Sequence, residues 1–141
     1  MTSSNFLDAN VWLALIWQRH IHHERAQGWF ENLPDDEFCF SRFTQLAVLR
    51  LLTTAKVMGA DVQTMAAAWD LWDQITSDPR IDWQAEPEGL ETEFRAHSQL
   101  TTSSPKAWAD AYLLAFSALA GTRLVTFDRA LSGRAVDVLV L

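Results

Sequence analysis

The chain contains one cysteine in 141 residues, so an internal disulfide is excluded. Cys39 stands between Phe38 and Phe40, a setting that predicts a buried strand residue. Long apolar runs are also missing. The run 11–17 is too short to span a bilayer, and the first ten residues lack the basic start and cleavage site of a signal peptide. We therefore expect a soluble, cytoplasmic protein that does not associate with membranes.

Positive charge is scarce as well, because 11 Lys and Arg residues against 18 Asp and Glu residues give a net charge of -7. Such a chain has no broad basic surface that would grip nucleic acid by itself. A nuclease is not excluded, since a divalent cation can turn an acidic pocket into a phosphate site. The apolar fraction of 49% excludes disorder, and the absence of repeats and linkers predicts one domain over residues 1–141.

Short apolar segments alternate with segments of helical periodicity along the chain. The predicted strands are residues 5–7, 38–40, 81–83, 123–126 and 136–141. The predicted helices are one directly after Asp8, 24–33, 43–52, one from Asp61 or Thr64 to about Asp78, 88–100, and one from Ser104-Pro105 to 120. This order predicts an α/β fold with a central, mostly parallel sheet of about five strands flanked by helices.

Asp110 is the one carboxylate in an otherwise apolar helix. Because such a helix is covered on most of its surface, we expect Asp110 to be largely desolvated, which is costly without a cation or strong donors nearby. Ser104 is the predicted cap and Pro105 the first helical residue. This start places Asp110 beyond the first turn, where neither capping nor the helix dipole favours its charge.

Two further aspartates, Asp8 and Asp128, directly follow predicted strands. The carboxyl ends of strands are where open α/β sheets bind their ligands. Each aspartate has a simpler alternative role as the cap of the helical segment that follows it. The two together with Asp110 predict a shared acidic site for a cation. Three like charges repel one another, so at least one pKa is expected to be raised in the metal-free protein.

The ordered set of motifs resembles the PIN domain and, more narrowly, the toxin subunit of VapBC toxin–antitoxin pairs. The resemblance covers almost the whole chain. The segments that carry it are Phe6-Leu7-Asp8-Ala9-Asn10, Trp108-Ala109-Asp110-Ala111-Tyr112-Leu113 and Leu124-Val125-Thr126-Phe127-Asp128.

The resemblance implies a metal-dependent ribonuclease with Mg²⁺ or Mn²⁺, an RNA substrate, a cognate VapB-type antitoxin and a homodimer. It marks Asp8, Asp110 and Asp128 as the metal-binding and catalytic acids. The supporting polar residues that it implies are Asn10, Ser41 and Thr126. Hard cations prefer oxygen ligands of this kind and need only a few carboxylates beside water and the substrate phosphate.

One position departs from the family pattern. Most PIN domains carry a glutamate in the third helix, three residues before an arginine, and here Ala47 precedes Arg50. Gln45 is close in sequence but points elsewhere on a helix. The alternative function is therefore a catalytically impaired PIN-like module that binds RNA or protein without cutting.

Several other residue types invite a functional interpretation. The histidines His20, His22 and His23 lack cysteine partners and regular zinc-ligand spacing, so loop capping, packing or an RNA contact is expected. The arginines Arg19, Arg42 and Arg50 are candidate phosphate contacts, although surface arginines are common.

Tryptophan is abundant, with seven residues, and such rings can stack on bases. Four of them lie on apolar helical faces, where packing in the core or in a subunit interface is expected: Trp12, Trp29, Trp69 and Trp72. The helical faces carry more large apolar groups than one small core uses, and this surplus predicts a homodimer. The groups in question are Trp69, Trp72, Leu46 and Leu49.

Overall fold

The computed structural model describes residues 3–134 and 136–141. Five parallel strands form one sheet in the order β3-β2-β1-β4-β5. The strands are β1 (Ser4–Leu7), β2 (Glu37–Phe40), β3 (Ile81–Trp83), β4 (Arg123–Thr126) and β5 (Val138–Val140). The predicted α/β fold with a five-stranded, parallel central sheet is confirmed.

Helices connect the strands and cover the sheet. They are α1 (Ala9–Ile16), α2 (His23–Glu31), α3 (Arg42–Leu52), α4 (Ala55–Met58), α5 (Met65–Thr76), α6 (Leu90–His97) and α7 (Ala107–Ala120), with 3₁₀ turns at Gly59–Asp61 and Arg129–Leu131. The sequence did not predict α4, because four residues are too few to show a helical period. Within the described ranges, no helix has both the length and the apolar character needed to cross a membrane.

Side-chain caps fix two of the helix starts. The Ser41 hydroxyl accepts from the Thr44 backbone N–H, and the Thr44 hydroxyl accepts from the Ser41 backbone N–H, so a capping box begins α3. The Thr64 hydroxyl accepts from Ala67 N–H and begins α5, which decides between the two predicted starts. Both caps satisfy backbone donors that the helix itself leaves unpaired.

The predicted start of α7 was wrong. Pro105 and Lys106 form a turn, and the helix begins at Ala107 with Lys106 in the cap position. The first intrahelical bond runs from Asp110 N–H to the Lys106 carbonyl. Proline stiffens the turn but does not by itself start the helical hydrogen-bond ladder. Asp110 therefore lies in the first turn of α7.

The strand residues alternate between two apolar clusters, one on each face of the sheet. On one face, five buried strand residues pack with α1, α2, α3 and α5: Leu7, Phe38, Phe40, Ile81 and Val125. On the other face, three strand residues pack with α7: Phe6, Cys39 and Leu124. Cys39 is buried there, as its flanking phenylalanines predicted. Both faces are covered, which explains why the strands are almost continuously apolar.

The four tryptophans on apolar helical faces have different environments. Trp12 and Trp72 lie in the core, where their rings are 5.9 Å apart and both meet Phe40 edge-on. Trp29 is half-buried against Phe38. Trp69 leaves 47% of its surface exposed. The prediction that Trp72 is one of the apolar groups left over for a subunit interface was therefore wrong, because α5 turns that side of the helix toward α1.

Candidate active site

The strand order reverses between β1 and β4. Strands β2 and β3 lie on one side of β1, whereas β4 and β5 lie on its other side. In open α/β sheets this switch point is the usual ligand site, at the carboxyl ends of the strands. A cavity opens there. Its lining residues are Asp8, Asn10, His20, Ile21, His22, Lys106, Ala109, Asp110, Leu113, Thr126, Phe127 and Asp128. The three predicted acids thus line the same cavity.

Asp8 is held at the end of β1, where its backbone N–H donates to the Val125 carbonyl at 2.9 Å. It occupies the cap position of α1, yet its carboxylate makes no capping hydrogen bond. Oδ2 instead accepts from the Thr126 hydroxyl at 3.1 Å. Burial raises the pKa of Asp8, the Thr126 hydrogen bond opposes that shift, and repulsion from Asp110 and Asp128 adds to it. Burial, rather than the repulsion expected from the sequence, is the larger cause.

Thr126 joins two of the acids through one fully buried hydroxyl. Its Oγ1 donates to Asp8 and accepts from the Asp128 backbone N–H at 3.1 Å. The Asp128 carboxylate is also a cap, since Oδ1 accepts from Ala130 N–H at 2.9 Å. The capping alternative therefore holds for Asp128, whose second oxygen accepts a hydrogen bond from Lys106 Nζ. Side-chain hydrogen bonds therefore link the ends of β1 and β4 at this edge of the sheet.

Asp110 reaches the cavity from the first turn of α7. The helix dipole favours its charge there, contrary to the expectation from the sequence. Burial nevertheless raises its pKa; Lys106 opposes the shift and Asp128 adds to it. The side chain keeps 24% of its surface exposed, and the expected desolvation is the largest cause of its raised pKa. The start of α7 at Ala107 opens this part of the helix to solvent.

Lys106 is a site residue that the sequence analysis did not single out. Its Nζ lies 2.5 Å from Asp128 Oδ2 and 3.9 Å from Asp110 Oδ2. The lysine lowers the pKa of Asp128, and the hydrogen bond to Asp128 raises the pKa of Lys106. A basic residue four positions before the helical acid was the available signal, because such pairs share a helix face.

The donor set suits a hard cation in its chemistry, because carboxylate, hydroxyl and amide oxygens line the cavity. Across residues 3–134 and 136–141, however, no three His, Cys, Asp or Glu side chains are grouped closely enough to hold one ion together. Mg²⁺ often takes only one or two protein carboxylates and keeps several waters. The cavity therefore fits such an ion, while the Lys106 ammonium lies between two of the acids.

Replacing Lys106 by methionine is expected to tighten Mn²⁺ binding about three- to tenfold, because a competing cation beside Asp110 and Asp128 is removed. Methionine keeps the length of the side chain and its apolar stem. Isothermal titration of the purified protein with Mn²⁺ measures the change. Arg95→Met on α6, whose ion pair with Glu91 lies outside the cavity, is the matched control. Equal Mn²⁺ affinity in both variants would contradict the expectation.

The histidines pack beside the acids. The His22 ring lies 4.6 Å from the Phe127 ring, and the His22 backbone N–H donates to His20 Nδ1 at 3.0 Å. Burial lowers the pKa of His20, and the neighbouring His22 and His23 add to the shift. His23 Nδ1 lies 2.6 Å from the Ala14 carbonyl oxygen, which can only accept. Of the three roles expected for these residues, the structure shows packing contacts for His20 and His22, and both also line the cavity.

Two residues that the resemblance placed at the site do not line the cavity. Ser41 is fully buried and its hydroxyl is used in the capping box of α3. Ala47 is half-buried and packs against the apolar cluster shared by α1, α3 and α5. The position of the usual glutamate therefore faces packed apolar groups.

The three arginines lie outside the cavity as well. Arg19 pairs with Asp61 at 3.3 Å. Arg42, at the start of α3, donates to Gln45 Oε1 and lies over the ring of Trp83. Arg50 is exposed near the end of α3. The lysine, rather than an arginine, supplies the positive charge inside the cavity.

Comparison with known proteins gives concordant matches over nearly all of the chain. The PIN domain family model matches residues 6–136. Ribonuclease VapC41 of Mycobacterium tuberculosis is 40% identical over 128 residues, covering 87% of this chain and 88% of its own. Ribonuclease VapC39 of the same species is 30% identical over 135 residues, covering 95% of both chains.

Solved structures share the fold at low identity. VapBC2 from Rickettsia felis, crystallised with a DNA fragment from its promoter, aligns with a TM-score of 0.66 at 10% identity over 98% of both chains. Mycobacterium tuberculosis VapC20, a toxin that cleaves the sarcin-ricin loop, aligns with a TM-score of 0.64 at 19% identity over 94% of this chain and 95% of its own. The chain therefore belongs to the PIN domain family and, within it, to the branch that contains the VapC ribonucleases.

Proposed function

We propose that this protein is a metal-dependent endoribonuclease, the toxin of a VapBC-type pair, which hydrolyses RNA phosphodiester bonds with Mg²⁺ or Mn²⁺. The observation that carries the proposal is the meeting of Asp8, Asp110 and Asp128 in one cavity at the switch point of the sheet. The relatives named ribonuclease VapC support the reaction class.

In this proposal one or two of Asp8, Asp110 and Asp128 bind the cation directly and water completes its shell, and Asn10 lies at the rim of the same cavity. A bound divalent cation would neutralise charge on the scissile phosphate and lower the pKa of a water molecule. Thr126 fixes the Asp8 carboxylate and the backbone at Asp128 through its single hydroxyl, so the two ligands keep their orientation before the cation arrives. Lys106 neutralises part of the acidic charge in the metal-free protein.

Cleavage of a mixed single-stranded RNA tests the function. The purified protein is incubated with the RNA in Mg²⁺, in Mn²⁺ and in EDTA, and products are separated by size. Internal cuts that need the cation support the proposal. Cutting that continues unchanged in EDTA would refute the metal dependence, and no cutting in either metal would refute the enzyme.

The second candidate function is a module that binds RNA or protein without cutting, and Ala47 is the observation that favours it. The two functions differ in what the cation does. In a non-cutting module, RNA binds and remains intact in Mg²⁺ and Mn²⁺. Isothermal titration with Mn²⁺ beside the cleavage assay separates them, because only the nuclease combines measurable metal affinity with products.

A small VapB-type antitoxin is the partner that we propose, since the Rickettsia felis structure that shares the fold is a VapBC complex. Its binding is expected to inhibit RNA cleavage. Co-expression with the product of a neighbouring small gene, followed by the same cleavage assay, tests the pairing. A stable complex that cuts RNA as fast as the free protein would contradict an antitoxin role.

A homodimer is also proposed, because apolar side chains remain exposed on α3 and on α4 and α5, both of which contact α3. Those side chains are Leu46, Val57, Met65 and Trp69. Sedimentation at micromolar concentration is expected to give twice the 16.0 kDa mass of the chain. Trp69→Glu should give the monomer, whereas Trp108→Glu on α7, an equally drastic change to an exposed tryptophan, should leave the dimer intact. A monomeric wild type would contradict the proposal.

A further inference from the structure

Aromatic side chains lie outside the acidic cavity but at the same carboxyl edge of the sheet, where β2 leads into α3 and β3 ends. At the start of α3, the ring of Phe43 is 4.6 Å from the ring of Tyr112 on α7. Arg42, the neighbour of Phe43, places its guanidinium carbon 5.7 Å from the centre of the Trp83 ring. Trp83 ends β3 at the carboxyl edge of the sheet. These four residues are called the aromatic strip below.

The strip has the exposure that a binding surface needs. Trp83 leaves 52% of its surface open and Phe43 leaves 38%. Both are large apolar groups, Trp83 on the edge strand β3 and Phe43 near the start of α3, and folding alone does not require them to be exposed there. Tyr112 is held in place by donating its hydroxyl hydrogen to Glu86 Oε1 at 3.0 Å. The strip is therefore partly fixed by hydrogen bonding and partly open to solvent.

The distance from the acids to Trp83 suits an RNA strand. Trp83 pairs with Phe40, and β2 lies between β3 and β1, which carries Asp8 at its end. Two strand spacings amount to roughly 10 Å. A single strand whose phosphate lies at the acids therefore needs only a few nucleotides to bring a base to Trp83.

We propose that the aromatic strip is a base-stacking subsite for single-stranded RNA beside the cleaved bond. Every base can stack on tryptophan because each base has a π-face. An arginine beside the ring adds a cation–π interaction and can also bind a phosphate group. A surface of this kind binds RNA without a broad basic face, which the net charge of -7 rules out. The inference rests on the proposed ribonuclease function and adds the part of the substrate that is recognised.

Binding to labelled oligoadenylate and oligouridylate tests the subsite, since adenine stacks more strongly than uracil. The measurements use the Asp110→Asn background with Mg²⁺, so that bound RNA stays intact. Trp83→Leu is expected to weaken oligoadenylate binding roughly five- to hundredfold and to remove the preference over oligouridylate. Trp83→Phe keeps a ring at the same place and is expected to retain most of the affinity and the preference.

Phe43→Leu supplies a second, independent variant, because it lies on α3 rather than on the edge strand. It is expected to weaken oligoadenylate binding in the same sense. Thermal melts of all variants exclude unfolding as the cause. Folded Trp83→Leu and Phe43→Leu proteins that bind both RNAs like their parent would overturn the subsite. A wild type that binds RNA but cuts none in Mg²⁺ or Mn²⁺ refutes the proposed function instead.

Discussion

Asp110→Asn is expected to lower RNA cleavage at least about a thousandfold, the largest effect on activity that the structure predicts. The substitution keeps the shape of the side chain but replaces one of the three cavity carboxylates with an amide. An amide oxygen is a weaker ligand for Mg²⁺ than a carboxylate, because the amide carries no negative charge to hold the cation. Initial cleavage rates in Mg²⁺ and Mn²⁺, compared with those of the wild type, measure the loss.

The same substitution is expected to leave the fold as stable as before or more stable at pH 7. Burial raises the folded-state pKa of Asp110, so folding favours the protonated form. That contribution is complete at low pH and is lost as the pH rises through the raised pKa. The amide resembles the protonated form and avoids the loss.

Asp35→Asn, in the exposed turn before β2, is the matched control and should change neither activity nor melting temperature. Thermal melts at pH 4 and pH 7 follow the stability of the Asp110 variant, whose advantage over the wild type should grow with pH. An Asp110→Asn enzyme that keeps more than about a tenth of the wild-type rate would contradict a catalytic role for Asp110.

Ala47→Glu is expected to destabilise the metal-free protein by about 1–3 kcal/mol, the largest effect on stability among these predictions. Ala47 is half-buried against apolar groups of α1, α3 and α5, and a carboxylate there loses solvent, which a pair with the exposed Arg50 three residues on offsets only in part. It does not line the cavity of the three aspartates. Added Mn²⁺ is therefore expected to raise the melting temperature no more than it does in the wild type.

Ala47→Gln separates size from charge at this position, because glutamine has almost the same shape as glutamate. The glutamine variant should be the more stable of the two at pH 7, and the difference should shrink at pH 4 as the glutamate is protonated. If Mn²⁺ raised the melting temperature of the glutamate variant more than that of the wild type, the prediction for Ala47→Glu would be contradicted. The longer side chain would then reach the cavity and complete the family's usual acid set.

The strand ends show which parts of the site local sequence could predict. Asp8 and Asp128 follow short apolar strands, and neighbouring parallel strands must bring their carboxyl ends to one edge. Their shared location needs no knowledge of side-chain packing. The same holds for Ser41 as the cap of α3, since its hydroxyl bonds within four residues of sequence.

Lys106 and Ala47 show what local sequence could not predict. The ammonium of Lys106 meets Asp128 across 22 residues, and that contact exists only because α7 and β4 are adjacent in the fold. Ala47 has a helical position that the family pattern assigns to the site, yet packing on α1 and α5 decides which groups it faces. Motif order carries no information about which helix covers a given side chain.

The sequence by itself determined the alternation of strands and helices, the aspartates at the strand ends and the family, because these depend on periodicity and on residue order. Tertiary structure alone decided that Trp72 packs inside while Trp69 remains exposed, and that Arg42 meets Trp83. Apolar side chains on one helix follow the same helical periodicity but can have different surroundings. Which of them are buried depends on the elements that pack against each side of the helix.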